Sequence, residues 1–435
     1  MRSVSESPAH RTPAQGPDPR HAVPIVEWLL TEGWTITESA KLVERLALRL
    51  GEGGIPLTRI LLFVVSLHPQ VVGVRITWQQ TTGQAAVWSA PYHVLQTAAY
   101  RESPVAAIMD GTVSYVRRRL DVAAPSLDYS ILRDLLSDGA TDYVAVPVRF
   151  SDGAVNAITF ATDQAGGFTD AQLDALNKTV AVLARLLEIH SAHHTAATLL
   201  HTYLGQHTGE QVRRGHVRLG DGEDIHAVIW FCDLRGSTVM ADSMPRASFL
   251  QILNDFFDCV AGAVLDHGGE VLRFIGDAAL AIFPIGAPGR CDGRRCCDKE
   301  TACHAALTAA KEAQARMAKL NQTRAQRGEP PLGFGLALHM GDVTYGNIGV
   351  AERLEFTVIG AAANEAARLE GLCKTLNRSV LISGEFKRCF PGELVSLGRH
   401  TLRGVRTPQE VFTLPETADS RLSSINSIHA DTTQR

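Results

Sequence analysis

The run Ala227–Leu234, AVIWFCDL, is apolar on both faces of any strand it forms and carries one acid, Asp233, near its end. A strand apolar on both sides has to be covered on both sides, which calls for a sheet between layers of helix. The surrounding pattern supplies those layers. Between about Asp221 and Leu414 the chain reads as a helix over Arg246–His267, a strand pair VLRFI and ALAIF, and a helix over Ala302–Arg324. Strands GFGLALHMG and FTVIG, a helix over Ala362–Thr375 and a strand SVLIS follow. That order predicts an α/β sandwich.

With 435 residues the chain is too long for one core, so a further domain is expected upstream. Residues 1–22, with Pro8, Pro13, Pro17 and Pro19, and residues 417–435 lack apolar periodicity and are expected to be disordered tails. Residues 23–188 mix periods: Glu38–Leu50 has helical spacing, Tyr143–Arg149 and Val155–Ala161 alternate like strands, and Ser151-Asp152-Gly153 forms a hairpin turn. The strings DYVAVPVRFSDGAVNAITFAT and GGFTDAQLDALNKTVAVLARLLE resemble the C-terminal half of a GAF-like sensory domain. In the second string Leu173, Leu176, Val180, Leu183 and Leu187 recur at spacings of three and four, and the register continues through His190, His194 and Ala197. This seam predicts a parallel two-chain coiled coil leading into a helical linker over 189–220. His190 and His194 read as seam or solvated residues and not as a metal pair.

Composition excludes several function classes. Lys plus Arg number 42 against 46 Asp plus Glu, a formal charge of -4, so no nucleic-acid partner is expected. The longest apolar run, Ile55–Leu67, is interrupted by Arg59 and falls short of the roughly 20 residues a membrane helix needs, so no membrane span is expected. The N-terminus has no apolar h-region, and the eight cysteines read as reduced thiols of a cytoplasmic protein. Cys291, Cys296, Cys297 and Cys303 with His304 hold enough soft ligands for zinc, but the spacing matches no pair of short knuckles, and a reduced insertion is the expectation.

Two acids stand out. Asp233 is followed by Leu234-Arg235-Gly236-Ser237-Thr238, a turn of small residues whose backbone N–H groups can approach an anion. Asp277 lies 44 residues later in the Gly276-Asp277 turn between two strands. Carboxylates at strand ends beside small-residue turns suit a hard cation that also bridges phosphate oxygens.

FCDLRGST, GGEVLRFIGDAALAIF, HMGDVTYGNIG and RLEFTVIGAAANEAARLE, in that order, resemble the motif set of the class III nucleotidyl cyclases over about 195 residues. The resemblance implies a ferredoxin-like α/β sandwich over 221–416, preceded by the GAF-like α+β sensor, and a head-to-tail homodimer with active sites at its interface. It implies that Asp233, Asp277 and the backbone carbonyl of Leu234 hold two Mg2+ ions, for which Mn2+ can substitute. Gly236, Ser237 and Thr238 would receive substrate phosphate. Asn364 and Arg368, four residues apart on one helix face, would orient the ribose and steady charge on the α-phosphate, and Arg403 would hold the terminal phosphates.

Adenylyl cyclases usually place lysine four residues before the second metal acid and aspartate or threonine seven before the helix asparagine; here those positions hold Arg273 and Thr357. Adenine offers an acceptor at N1 and a donor at N6, which a cationic donor and a hydroxyl can meet. The resemblance therefore implies an adenylate cyclase converting ATP to cyclic AMP and pyrophosphate, with an effector of the N-terminal domain that the sequence does not identify; bicarbonate is a family tendency only. The alternatives are a guanylate or dual-specificity cyclase, since Arg can also grip guanine O6 and N7, and a silent nucleotide-binding module. HGGEVLR shares part of the diguanylate cyclase signature, but Val271 stands where the second acid belongs, and that reading fails.

Overall fold

A computed structural model describes residues 22–286, 298–405 and 407–415. Backbone contacts divide the chain into two units, residues 1–199 and 200–435. The two tails and three of the clustered cysteines, Cys291, Cys296 and Cys297, lie outside the described residues.

The first unit is an α+β domain. It contains α1 (Ala22–Thr31), α2 (Ser39–Glu52), β1 (Arg59–Val65), β2 (Val71–Gln79), β3 (Ala85–Pro91), α3 (Ala98–Arg101), α4 (Pro104–Met109), β4 (Val116–Arg119), α5 (Ser130–Ser137), β5 (Asp142–Arg149), β6 (Val155–Thr162) and α6 (Asp170–Leu204). The six strands form one antiparallel sheet in the order β3-β2-β1-β6-β5-β4. One face buries Leu42, Leu46 and Leu50 of α2 against Ile60, Leu62, Val146 and Phe160. The other packs Ala145, Ala157 and Ala161 beneath Ile108 of α4 and Leu132 and Leu135 of α5.

The expected coiled-coil seam is corrected here. Leu176, Val180, Leu183 and Leu187 of α6 are buried in the first core, so their period of three and four serves the sheet of their own domain and not a second chain. His190, on the same helix, meets the Ser39 hydroxyl at 3.1 Å.

The second unit continues with α7 (Gln206–Arg213), β7 (Gly222–Leu234), α8 (Ser237–Ser243), α9 (Arg246–Asp266), β8 (Glu270–Ile275), β9 (Ala278–Ile285), α10 (Lys299–Gln326) and β10 (Phe334–Val350). After these come β11 (Arg353–Ile359), α11 (Ala361–Thr375), β12 (Val380–Ser383), α12 (Gly384–Cys389), β13 (Val395–His400) and β14 (Gln409–Thr413). The central order β10-β7-β9-β8 is antiparallel throughout, the ferredoxin-like arrangement, extended by β12, β14 and β13 on the β10 side, while β11 folds back on β10.

The double-faced apolar character of β7 is used as expected. Val228, Trp230, Cys232 and Leu234 face Phe256 and Val260 of α9 and Ala306 and Ala310 of α10, whereas Ala227 and Ile229 face Ala362 and Ala366 of α11. Helix α9 is long and apolar enough to cross a membrane by length and composition alone, but Ile252, Phe256, Val260 and Val264 are in this core. Cys303 is in it too, its thiol pushed up to about 12 by burial, and His304 lies edge-on to Phe390 at 4.9 Å. On the opposite face α11 seats very closely: a Cβ added at Gly341 of β10 would stand 2.6 Å from the Cβ of Ala362.

Candidate active site

Alternation along β7 turns Asp233 toward the α11 face of the sheet, opposite Ala278 on β9 and Gly335 on β10. Asp277 occupies the β8–β9 turn after Gly276, whose φ of 64° lies in the left-handed region that glycine tolerates. The Leu234 N–H donates to the Asp277 carbonyl at 3.3 Å, tying the turn to the end of β7. The two expected metal acids therefore meet. Asp233 is pushed up to about 6, first by burial and then by the hydrogen bond and negative charge of the Asp277 carboxyl; the Leu234 N–H opposes the shift.

A third acid joins them that the motif reading did not single out. Glu370 of α11 lies over Gly335, where an added Cβ would be 1.9 Å from Glu370 Oε1, so only glycine leaves room beside Asp233. Burial and then the charge of Asp233 raise Glu370 to about 7, with the Arg235 cation opposing and Asp277 adding. The signal in the sequence was the last letter of RLE, on the far side of the helix from Asn364.

A carboxyl pushed up beside a second one, as Asp233 is beside Asp277, is what a divalent ion relieves, so the pair fits Mg2+. Among the described residues no three His, Cys, Asp or Glu side chains converge as a metal cage. Two carboxylates with water and phosphate oxygens at the remaining positions are a set that Mg2+ prefers.

The turn after Leu234 enters α8 through Gly236, left-handed with φ 74°. The Arg235 N–H is spent on the Gly333 carbonyl, and the Arg235 side chain donates to the Arg378 carbonyl at 2.7 Å. Ser237 and Thr238 open α8, where first-turn N–H groups have no partner within the helix.

The base-reading candidates lie on neighbouring strands. Arg273 of β8 forms an ion pair of 2.8 Å with Glu355 of β11, and its Nε is buried without a hydrogen-bond partner among the described residues. Thr357, two residues along β11, is 4% exposed, and its Oγ1 also lacks a partner among the described residues. Glu355 was not anticipated, because its pairing depends on β11 folding back toward β8. An open groove of about 1390 Å³ runs beside Arg273, Phe274, Glu355 and Phe356; it does not include Asp233 or Asp277.

Asn364 and Arg368 stand exposed on α11, with Asn364 Nδ2 donating to the Gly360 carbonyl at 3.4 Å. The Arg368 guanidinium comes within 3.4 Å of where a Cβ on Gly404 would be, which sets it beside the turn carrying exposed Arg403. No hydrogen bond or ion pair joins Asn364, Arg368 or Arg403 to Asp233 or Asp277 among the described residues. The structure thus brings together the two acids expected to hold metal, the purine candidates, and Arg368 with Arg403, as three separate groups.

Residues 223–415 match the family model described as the adenylate and guanylate cyclase catalytic domain. An uncharacterized protein of Mycobacterium tuberculosis is 38% identical over 185 residues, covering 42% of this chain and 31% of that protein. The adenylate cyclase of Anabaena cylindrica is 33% identical over 172 residues, covering 39% of this chain and 31% of its own. The chain matches only about a third of the length of these curated relatives. Among solved structures, the adenylyl cyclase CyaB of P. aeruginosa matches 46% of this chain and 98% of its own at 22% identity and a TM-score of 0.40. The guanylyl cyclase Cya2 matches 46% and 97% at 24% identity and a TM-score of 0.38.

Proposed function

From the premise that residues 223–415 belong to the adenylate and guanylate cyclase catalytic-domain family, we propose that this chain converts ATP to 3′,5′-cyclic AMP and pyrophosphate. The observation that carries the reading is the carboxylate pair, Asp233 at about 6 against Asp277, tied at the Leu234 N–H and lying inside the matched segment. In this reading Asp233, Asp277 and the Leu234 carbonyl hold two Mg2+ ions, with Mn2+ able to substitute. Bound there, the ions would acidify the ribose 3′-hydroxyl and neutralise the departing pyrophosphate. Asn364 orients the ribose. Arg368 stabilises charge developing on the α-phosphate oxygens, the N–H groups of Gly236, Ser237 and Thr238 receive phosphate, and Arg403 steadies its far end.

Among the described residues no hydrogen bond or ion pair links Asn364 or Arg368 to the carboxylate pair of their own chain, which supports a site completed by a second copy. The active species is then a homodimer with shared sites. The first unit acts as its GAF-like sensory domain in a cytoplasmic signalling enzyme, and its effector is a small molecule or ion. A silent nucleotide-binding module is the weaker reading, because both metal acids and the Asn/Arg pair are intact.

For the base, Arg273 donates to adenine N1 while Thr357 accepts from N6; the buried, unpartnered Thr357 Oγ1 supports this assignment. One observation favours a guanylate or dual-specificity reading instead. The Arg273–Glu355 pair presents a donor beside an acceptor, and guanine O6 with its N1–H and N2–H would match that pair. The test is purified chain with ATP or GTP and Mg2+ or Mn2+, assayed for cyclic product. Cyclic AMP formed at higher kcat/KM than cyclic GMP is expected. Preference for GTP would overturn the base assignment, and no product from either would overturn the reaction.

A further inference from the structure

A buried polar cluster lies outside the reaction described above. Glu270, the first residue of β8, is 8% exposed, and one of its oxygens, Oε1, meets three donors. These are the Thr208 N–H at 3.1 Å, the Thr208 hydroxyl at 3.0 Å and the Tyr345 hydroxyl at 2.8 Å, while the two hydroxyls are 2.8 Å from each other. Thr208 and Tyr345 are themselves 1% and 3% exposed. Each hydroxyl has one hydrogen. The set closes when the Thr208 hydroxyl donates to Tyr345, Tyr345 donates to Glu270, and the Thr208 N–H donates to Glu270. Every hydrogen is then used, and removing either hydroxyl takes one hydrogen bond out of the buried set.

The three residues come from three different elements. Thr208 belongs to α7, which precedes the catalytic core. Glu270 opens the strand that carries Arg273 three residues later. Tyr345 of β10 is opposite Val358 of β11, and the next pair in that ladder is Gly346 with Thr357. The Tyr345 ring is stacked on His207 of α7 at 5.9 Å and meets Phe356 of β11 edge-on at 4.6 Å. Helix α7 has little room to slide: a Cβ on Gly209 would come within 2.9 Å of the Leu200 backbone, and one on Gly205 within 3.3 Å of the Val271 carbonyl.

We propose that Glu270 is a positioning residue for nucleotide recognition: by holding Thr208 and Tyr345 on one carboxylate oxygen, it sets the spacing of the strands that carry Arg273 and Thr357 and makes that spacing answer to α7. The inference rests on the nucleotide-cyclase reading above. None of the three side chains reaches substrate in it, and each acts through Arg273 or Thr357.

The test uses the full chain with Thr208→Val, Tyr345→Phe and Glu270→Gln. The readouts are kcat and KM for ATP and GTP and the Kd of the unreactive analogue 3′-deoxy-ATP. Thr208→Val keeps its shape and Tyr345→Phe its ring, so both are expected to fold. Each should raise KM and the analogue Kd by about fivefold, the usual weight of one hydrogen bond, and change the ATP-to-GTP ratio of kcat/KM, with kcat at saturation within about twofold. Glu270→Gln keeps an acceptor oxygen at the same reach and should fall closer to wild type than either. Folded Thr208→Val and Tyr345→Phe chains with a lowered Tm but unchanged KM, Kd and ratio would reduce the cluster to a packing feature and overturn the proposal. If wild type makes no cyclic nucleotide yet binds the analogue, the cyclase reading falls and the analogue Kd alone decides the role of Glu270. Wild type that binds neither the ATP analogue nor its GTP counterpart overturns both.

Discussion

Replacing Asp233 with asparagine should abolish cyclisation and, without divalent cations, stabilise the fold. Moving a carboxyl from its ordinary 3.8 to about 6 corresponds to about 3 kcal/mol. Asp233 is partly open to water, so about half of that, 1.5 kcal/mol, is the working figure. The folded chain binds this proton more tightly than the unfolded chain does. The stability it contributes is therefore complete below about pH 3.8 and is lost as pH rises through about 6. At pH 8 the wild type carries the whole penalty of an ionised Asp233 facing Asp277, and Asp233→Asn carries none. For a unit of this size, 1.5 kcal/mol is about 3 to 6 °C in the Tm of its transition. Thermal unfolding in EDTA between pH 5 and 8 is the assay, read on the transition of the second unit because two units need not melt together. The gain should be largest at pH 8 and shrink as pH falls toward 5. Millimolar Mg2+ should then raise the Tm of wild type and not of the variant, since only wild type retains the ligand pair. A variant less stable than wild type at pH 8, or a gain independent of pH, would refute the account of a carboxylate pair held together at a cost for want of a cation.

Mixing inactive Asp233→Asn with inactive Arg368→Ala chains should restore part of the activity, because one shared site in each mixed dimer keeps all its groups; mixed dimers that form and stay silent count against the shared site. Thr357→Val should leave the Tm of the free chain nearly unchanged, because its Oγ1 has no partner to lose, yet raise the barrier with ATP by about 1 to 3 kcal/mol; an unchanged kcat/KM would remove Thr357 from the base. Arg273→Lys should keep the preference for ATP, whereas Arg273→Glu sets a second carboxylate against Glu355 and should depress ATP use. Equal ATP turnover in Arg273→Glu would mean that Arg273 does not read the purine.

The central sheet was legible because AVIWFCDL had to be covered on both faces, and β7 is. Asp233 and Asp277 were legible as a pair because a strand end beside a small-residue turn is local information. Glu370 was not: its place depends on α11 crossing β10 at Gly335, a register no local pattern carries. Glu355 was hidden for a similar reason, since it meets Arg273 only where β11 approaches β8, 82 positions along the chain. The leucines of α6 show the limit from the other side. A period of three and four is the same whether the stripe lies on its own sheet or on a second helix, and here Leu176, Val180, Leu183 and Leu187 lie on the sheet.

Helix α11 sits close on β10, with Gly341 under Ala362 and Gly335 under the Glu370 carboxylate, while Leu369 packs against Ala337 and Leu381. It is held as a stiff axle, because such a seat leaves no slack for a small rotation. Asn364 and Arg368 project on one side of that axle, and Glu370, two residues past Arg368, projects roughly 200° away from it at about 100° per residue. A side chain at Gly335 would therefore meet the Glu370 carboxylate and press on the same axle that carries Arg368. The exposed pair and the half-buried acid thus share one rigid element, and a substitution under either is felt by both.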